Sequence, residues 1–210
     1  MGRSYVAIGD SLTVGVGARL FGGGFTDRYA AKLEKKLHMP VKLSVFAKSG
    51  LTTEEILQLF QRSDVRRAIA HADIITITGC GNDLVQAVLQ YEKGEDEKTL
   101  LQASMHCQEN FRKMVQEIAL IKKGQHQPYC VYLLNLYNPF PEIAIAERWL
   151  KQYNHHLRQL AANPHVEVVD IYGVFEGHQS AYLSIDQFHP NHKGYEAMAE
   201  ALFQQSAKQL

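Results

Sequence analysis

The segment Asp73-Ile74-Ile75-Thr76-Ile77-Thr78 is the clearest β-strand pattern in this 210-residue chain, because β-branched residues dominate it. It runs into Gly79-Cys80-Gly81-Asn82-Asp83, a composition typical of a turn. Apolar runs at residues 5–9, 41–47, 129–134 and 166–170 predict four further strands. Helical patterns separate these runs, and such alternation predicts an α/β fold with a parallel sheet between two layers of helices.

Polar residues or glycines follow the predicted strands near the point where each strand ends. They are Ser11 after the first strand, Gly50 after the second, Asn82 after the third, and Asp186 with His189 shortly beyond the fifth. Right-handed crossovers put the carboxyl ends of all parallel strands at one edge of the sheet, and open α/β sheets bind ligands at that edge. The sequence therefore predicts that the two ends of the chain meet in one site.

The charge balance argues against a nucleic-acid partner. The chain has 22 Lys and Arg residues and 22 Asp and Glu residues, so no net field attracts an anionic polymer or a membrane surface. No apolar stretch approaches the ~20 residues of a membrane span, and stable membrane insertion is not expected. Hydrophobic residues make up 46% of the chain, and we expect a single folded domain over residues 1–210. Composition leaves a monomer and a small homo-oligomer both open.

The cysteines and the N-terminal segment bear on the compartment. Cys80, Cys107 and Cys130 include no closely spaced pair, and an odd count does not suggest a disulfide framework. This predicts free cysteines in a reducing compartment. The apolar run that follows Met1 is too short for the core of a signal peptide and suits a first strand instead. We therefore expect a cytoplasmic protein.

Asp186 and His189 lie three positions apart, just before a predicted amphipathic helix. A carboxylate and an imidazole at this spacing can act as an orienting group and a general base. The nucleophile that they lack locally is Ser11, at a predicted helix N-terminus whose N–H groups could stabilise an oxyanion. Asn82 could donate to the same oxyanion. Taken singly, a helix cap explains Ser11, and simple turns explain Asn82 and Gly50.

Two other site types find little support. His189 and His192 are a possible metal pair, but no third ligand is apparent and we expect no metal. Gly15-Val16-Gly17 begins like a dinucleotide-binding loop, but Leu20 stands where the third glycine would be. No cofactor is therefore expected.

Four motifs together resemble the four blocks of the SGNH, or GDSL, hydrolases, in the same order and across nearly the whole chain. They are Gly9-Asp10-Ser11-Leu12-Thr13, the Gly50 turn, Asn82-Asp83, and Asp186 with His189. The resemblance implies a three-layer flavodoxin-like α/β/α sandwich with a five-stranded parallel sheet in the order 2-1-3-4-5. In the third block Cys80 stands where the family usually has glycine, and we expect its flanking glycines to keep the turn.

The resemblance also implies a role for each matching position. Ser11 would be the nucleophile, His189 the base and acid, and Asp186 the residue that orients His189. The oxyanion hole would consist of the Ser11 N–H, the Gly50 N–H and the Asn82 side chain. No cofactor is implied.

The implied reaction is hydrolysis of a small-molecule or lipid acyl ester through an acyl-enzyme, with lipase or carboxylesterase activity expected first. Apolar side chains on nearby loops would line an acyl groove or simply pack within the loops: Val14, Phe21, Phe25, Tyr137 and Phe140. Thioesterase, lysophospholipase and carbohydrate O-deacetylase activities stay open, as does a non-catalytic flavodoxin-like binding module. The chain looks like the small GDSL lipases of spore-forming bacilli, which adds the spore to the expected locations.

Overall fold

The computed structural model describes residues 2–18, 22–94, 96–125 and 127–207. Within them, one sheet contains β1 Arg3–Gly9, β2 Val41–Ala47, β3 Ile74–Ile77, β4 Cys130–Leu134 and β5 Val166–Val169. All neighbouring strands are parallel, and their order is β2-β1-β3-β4-β5. This confirms the predicted sheet and its strand order.

Helices connect and cover these strands. They are α1 Ser11–Val14, α2 Phe25–Leu37, α3 Thr53–Leu59, α4 Ser63–His71, α5 Gly81–Glu92, α6 Lys98–Lys122, α7 Ala144–Gln159, α8 Ile171–Phe175, α9 Gln179–Tyr182 and α10 His192–Ser206, with a 3-10 turn at Leu160–Ala162. No helix in the described ranges is long and apolar enough to cross a membrane.

Two apolar cores flank the sheet, because successive side chains along a strand point to opposite faces. On β1, Tyr5 and Ala7 belong to the core shared with α2 and α10, whereas Val6 and Ile8 belong to the core shared with α3, α4, α6 and α7. The sheet therefore lies between two layers of helices. The predicted three-layer α/β/α class is confirmed.

The start of α5 differs from the sequence prediction, which placed residues 79–83 in a turn. The helix begins at Gly81, so Asn82 lies in the first helical turn rather than in a loop. Cys80 precedes it with a φ of 77°, in the left-handed region that favours glycine. The turn that the family usually builds with glycine is therefore kept here by a cysteine.

Cys80 and Cys107 are paired as a disulfide, so the prediction of free cysteines is wrong for these two residues. They are 27 residues apart in sequence, and both are fully buried. The pairing arises because α6 packs against α3 and α5, which brings Cys107 beside the start of α5. Cys130 is free and buried. The cysteines therefore no longer support the prediction of a reducing compartment.

A buried cation ties the end of α6 to the end of α4. Lys122 is 4% exposed, and its Nζ donates to the backbone oxygens of Ala70, at 3.2 Å, and Ala72. The same nitrogen lies 5.0 Å from the centre of the Tyr129 ring. Desolvation lowers the pKa of this amine, but the C-terminal end of a helix dipole favours a positive charge. Lys122 thus serves as a C-terminal cap for α4.

We expect Lys122→Met to lower the thermal unfolding temperature, because it leaves buried carbonyls at the end of α4 without their donor. A loss of about 2 kcal/mol corresponds to a decrease of about 4–8 °C for a chain of this length. Differential scanning fluorimetry measures the shift. Lys123→Met, which removes the neighbouring exposed charge, is the matched control and should change little. Equal shifts in both variants would contradict the capping role.

Candidate active site

Ser11 is held at the N-terminus of α1 by the residue before it. The Asp10 side chain caps this helix, with Oδ1 accepting from the Leu12 N–H at 3.1 Å and from Thr78 Oγ1 at 2.8 Å. Burial raises the pKa of Asp10, and the hydrogen bonds from Thr78 and Leu12 oppose that rise. Ser11 itself is almost fully buried. The turn after β1 therefore fixes the hydroxyl of Ser11 in one place.

A chain of hydrogen bonds leads from Ser11 to Asp186. His189 Nε2 lies 2.9 Å from Ser11 Oγ, and His189 Nδ1 lies 2.7 Å from Asp186 Oδ2. The other carboxylate oxygen accepts from Ser184 Oγ at 2.7 Å and from the N–H groups of Phe188 and His189. Desolvation opposes ionisation, but the hydrogen bonds from His189, Ser184 and the backbone hold the pKa of Asp186 well below its usual range. Asp186 is therefore an anion at neutral pH.

This arrangement can move a proton from Ser11 Oγ to His189 Nε2. An ionised carboxylate beside Nδ1 favours the tautomer of His189 that carries its proton there. The lone pair of Nε2 is then directed at the hydroxyl of Ser11. The geometry meets the requirement that a base lie within hydrogen-bond reach of the proton that it takes.

The loop that carries Asp186 and His189 is fixed at both ends. The Ser184 N–H donates to the backbone oxygen of His189 at 2.8 Å, and Gln187 between them has a φ of 56°. Asn191 caps α10 by accepting from the N–H groups of its first turn, and its Nδ2 donates to the Leu183 oxygen at 2.9 Å. Sequence reasoning gave Asn191 no role, although an asparagine directly before a predicted helix is a capping signal.

Asn82, in the first turn of α5, contacts the loop that carries Gly50. The Nδ2 of Asn82 donates to the backbone oxygen of Leu51 at 2.8 Å. Gly50, the next residue back, has a φ of 87° and is exposed. An amide nitrogen carries two hydrogens, so the bond to Leu51 orients the Asn82 side chain and leaves its second hydrogen to donate elsewhere.

A second contact joins the start of α3 to the start of α5, through residues to which sequence reasoning gave no separate role. The Asp83 carboxylate accepts from the Thr53 N–H at 3.0 Å and from Thr53 Oγ1 at 2.7 Å. Asn110, on α6, donates to the same hydroxyl at 3.0 Å. Burial raises the pKa of Asp83, and the hydrogen bonds from Thr53 oppose the rise. The N-termini of α3 and α5 are therefore held at a fixed separation.

A cavity of about 470 Å³ opens beside Ser11 and Asn82. Its walls come mainly from α5, α7 and the loop between β4 and α7. The apolar residues that form them include Leu84, Val85, Val88 and Leu89 of α5, Ala146, Trp149 and Leu150 of α7, and Phe188. Sequence reasoning missed all of these, because apolar positions on amphipathic helices are typical of a protein core.

The structure places only some of the predicted substrate-binding residues at the cavity. Tyr137 and Phe140 line the cavity. Val14 is half-buried on α1 and is not among the lining residues. Phe25 is fully buried in the core beneath α2, so the expectation that it faces a substrate is wrong. Phe21 lies outside the described residues.

Comparison with known sequences agrees with the family resemblance of the four motifs. The model of the GDSL-like lipase/acylhydrolase family matches residues 7–197. The chain is 52% identical over 202 residues to the spore germination lipase LipC of Bacillus licheniformis, covering 96% of this chain and 95% of that protein. It is 26% identical to the uncharacterised protein YpmR of Bacillus subtilis, covering 97% of this chain and 81% of that protein.

Solved structures resemble the fold at two levels of similarity. The lipase Lip_vut3 from a goat rumen metagenome superposes with a TM-score of 0.91 at 52% identity, over 95% of each chain. Axe2, an acetylxylan esterase from Geobacillus stearothermophilus, superposes with a TM-score of 0.72 at 20% identity, over 97% of this chain and 94% of the other. At that identity the second likeness shows a shared fold only.

We expect a fluorophosphonate probe to label Ser11, at a rate that depends on Asp186. Asp186→Asn keeps the size of the side chain but no longer holds His189 in the productive tautomer, and the labelling rate should fall by about 10³–10⁴-fold. Intact-protein mass spectrometry gives the rate, and peptide mapping gives the labelled residue. Asp64→Asn, on the exposed start of α4, controls for loss of a carboxylate. An unchanged rate in Asp186→Asn would contradict the orienting role.

Proposed function

The chain belongs to the GDSL-like lipase/acylhydrolase family and is a carboxylic ester hydrolase, and we propose that it cleaves acyl esters through an acyl-enzyme on Ser11. The observation that carries this proposal is the unbroken hydrogen-bonded chain from Ser11 through His189 to Asp186. It ends at the mouth of an apolar cavity. The nucleophile, the base and a space for the acyl group therefore adjoin one another.

In the first half of the reaction, Ser11 Oγ attacks the acyl carbon while its proton passes to His189 Nε2. The carbonyl oxygen becomes an oxyanion. The bond between the acyl carbon and the alcohol oxygen then breaks, and His189 gives its proton to the leaving alcohol. Asp186 stabilises the imidazolium through Nδ1, and its low pKa keeps it ionised throughout.

In the second half, water attacks the acyl-enzyme and gives a proton to His189. The bond between the acyl carbon and Ser11 Oγ breaks, and His189 returns the proton to that oxygen. The carboxylic acid leaves and the resting enzyme is restored. The same imidazole thus acts once as base and once as acid in each half.

The proposed oxyanion hole consists of the Ser11 N–H, the Gly50 N–H and the Asn82 amide. Its support is the placement of these groups on the turns after β1, β2 and β3, with Asn82 already oriented by the Leu51 oxygen. Donors that are fixed before the charge develops need no reorganisation when the oxyanion forms. Asp83 and Thr53 hold the N-termini of α5 and α3 together.

The substrate class that the cavity supports best is an ester of a fatty acid, and lipase or carboxylesterase activity is therefore proposed first. The names of two relatives as lipases support the same class. Thioesterase and lysophospholipase activities stay as alternatives, because their substrates present the same acyl group. A carbohydrate O-deacetylase has less support, since the cavity walls are mainly apolar. Because the chain belongs to a family of hydrolases, we no longer propose a non-catalytic binding module.

We keep two proposed locations, the cytoplasm and the spore. The relative from Bacillus licheniformis is named a spore germination lipase, which supports association with the spore. Because Cys80 and Cys107 are paired, their state no longer supports a cytoplasmic location.

Ser11→Ala should abolish hydrolysis of p-nitrophenyl butyrate, because no other group replaces the nucleophile. We expect kcat/KM to fall by about 10⁴–10⁶-fold, measured by release of p-nitrophenolate from the purified proteins. Ser63→Ala, at the exposed start of α4, is the matched control and should keep the parent rate. Equal hydrolysis by the parent and Ser11→Ala would assign the activity to another residue or to a contaminant.

Asn82→Ala should lower kcat by about 10²–10³-fold and leave KM nearly unchanged, because an oxyanion donor acts mainly on the transition state. Steady-state kinetics on the same ester separates the two constants, and circular dichroism checks the fold. Gln86→Ala, an exposed residue one turn further along α5, controls for changes in the helix. Near-normal kcat in Asn82→Ala would remove Asn82 from the proposed oxyanion hole.

A further inference from the structure

We propose that the cavity beside Ser11 is a closed-end site for a medium-length acyl chain of about eight to twelve carbons. The chain would lie between α5 and α7 and end against Leu100 and Trp149. This inference rests on the proposed function, since it takes Ser11 as the point of attachment. It goes further by naming the length of the acyl group and the residues that limit it.

The two ends of the cavity differ in polarity. Its polar lining residues are Asp10, Ser11, Asn82, Tyr137 and Asn138, all at or near the reaction end. Most of their polar atoms are already used: Tyr137 donates to the Phe188 oxygen at 2.6 Å, and Asn138 bonds to Glu147 and to the Phe140 N–H. Beyond them the walls are apolar. A hydrocarbon chain matches this surface, whereas sugar hydroxyls would lose hydrogen bonds to water.

The length of the site follows from α5, which forms one wall. The lining residues run from Gly81 to Leu89, eight residues along the helix. At a rise of 1.5 Å per residue this distance is about 12 Å. An extended hydrocarbon advances by roughly 1.25 Å per bond of about 1.5 Å, so about ten carbons span the wall.

The far end of the cavity is closed by a small apolar cluster. Leu100, at the start of α6, is 1% exposed and packs with Ala87 of α5 and Trp149 of α7. Trp149 is 9% exposed, and its indole N–H has no partner among the described residues. A single donor does not make a sugar site. A chain longer than the cavity must instead leave between the two helices, past the exposed side chains of Val85 and Leu89.

These features predict a defined profile of activity against acyl length. Each methylene that is buried in the cavity should raise kcat/KM by about fourfold, so activity should climb steeply from the acetyl to the octanoyl ester. Further carbons beyond about twelve would lie in water or strain the closed end, and kcat/KM should then level off or fall. A site for acetyl groups would show the opposite order.

The experiment measures kcat/KM for p-nitrophenyl esters from two to sixteen carbons, with the parent, Ser11→Ala, two cavity-filling variants and one control variant outside the cavity. Val88→Trp fills the closed half of the cavity, and Ala146→Phe fills it from the α7 side. Both should lose at least about tenfold on the decanoyl ester relative to the butyryl ester. Leu120→Trp places the same bulk on α6, about 30 Å along the helix from Leu100, where residue 120 is 60% exposed, and should keep the parent profile.

The outcomes separate the two proposals. Hydrolysis that is equal in parent and Ser11→Ala overturns the proposed function itself. Hydrolysis that depends on Ser11 but peaks at the acetyl ester, or that keeps rising to sixteen carbons, overturns only the closed acyl site. A parent profile retained by both filling variants also overturns it. If one variant fails to fold, as judged by its melting temperature and its rate on the acetyl ester, the other decides.

Discussion

A buried hydrogen bond from Thr78 Oγ1 to Asp10 Oδ1, 2.8 Å long, joins the turn after β1 to the turn after β3. Ser11 directly follows Asp10, and Asn82 lies four residues after Thr78, so this bond sets the spacing of two groups at the mouth of the cavity. A buried carboxylate is costly unless hydrogen bonds satisfy it. Gly9 is required at this crossing, because a Cβ there would lie 2.3 Å from Thr78 Oγ1.

The imidazole of His189 reaches the mouth of the cavity from the other end of the chain, 178 residues from Ser11. Two tyrosines fasten the segments that must meet. Tyr195 of α10 donates to the Val16 oxygen at 2.8 Å, and Tyr137 donates to the Phe188 oxygen at 2.6 Å, directly before His189. A buried phenol needs a partner for its hydroxyl, so packing of each ring in the core also fixes a backbone oxygen near the site.

Local patterns predicted the strands, because a buried parallel strand is an apolar run whatever surrounds it. The candidate site residues were identified from their positions after the predicted strands, whereas the strand order and the role of each residue came from the resemblance to a known family. The burial of Phe25 and the pairing of Cys80 with Cys107 depend on which elements pack together, and separation along the chain does not carry that information. The cavity was missed for the same reason. Trp149 and its neighbours have the sequence pattern of core positions, and only the packing of α5 and α7 shows that a space lies between the two helices.

The site separates the groups proposed to react from the walls proposed to hold the acyl chain. The groups proposed to react lie on turns at the carboxyl edge of the sheet, or on the loop before α10, and hydrogen bonds fix each of them. The walls begin one turn into α5 and continue on α7, and their apolar side chains make no hydrogen bonds to those turns. A change of side-chain volume on either helix therefore alters the space for an acyl chain while the bond between Asp10 and Thr78 stays as it is. This independence gives a physical reason why one fold is found in both lipases and an acetylxylan esterase.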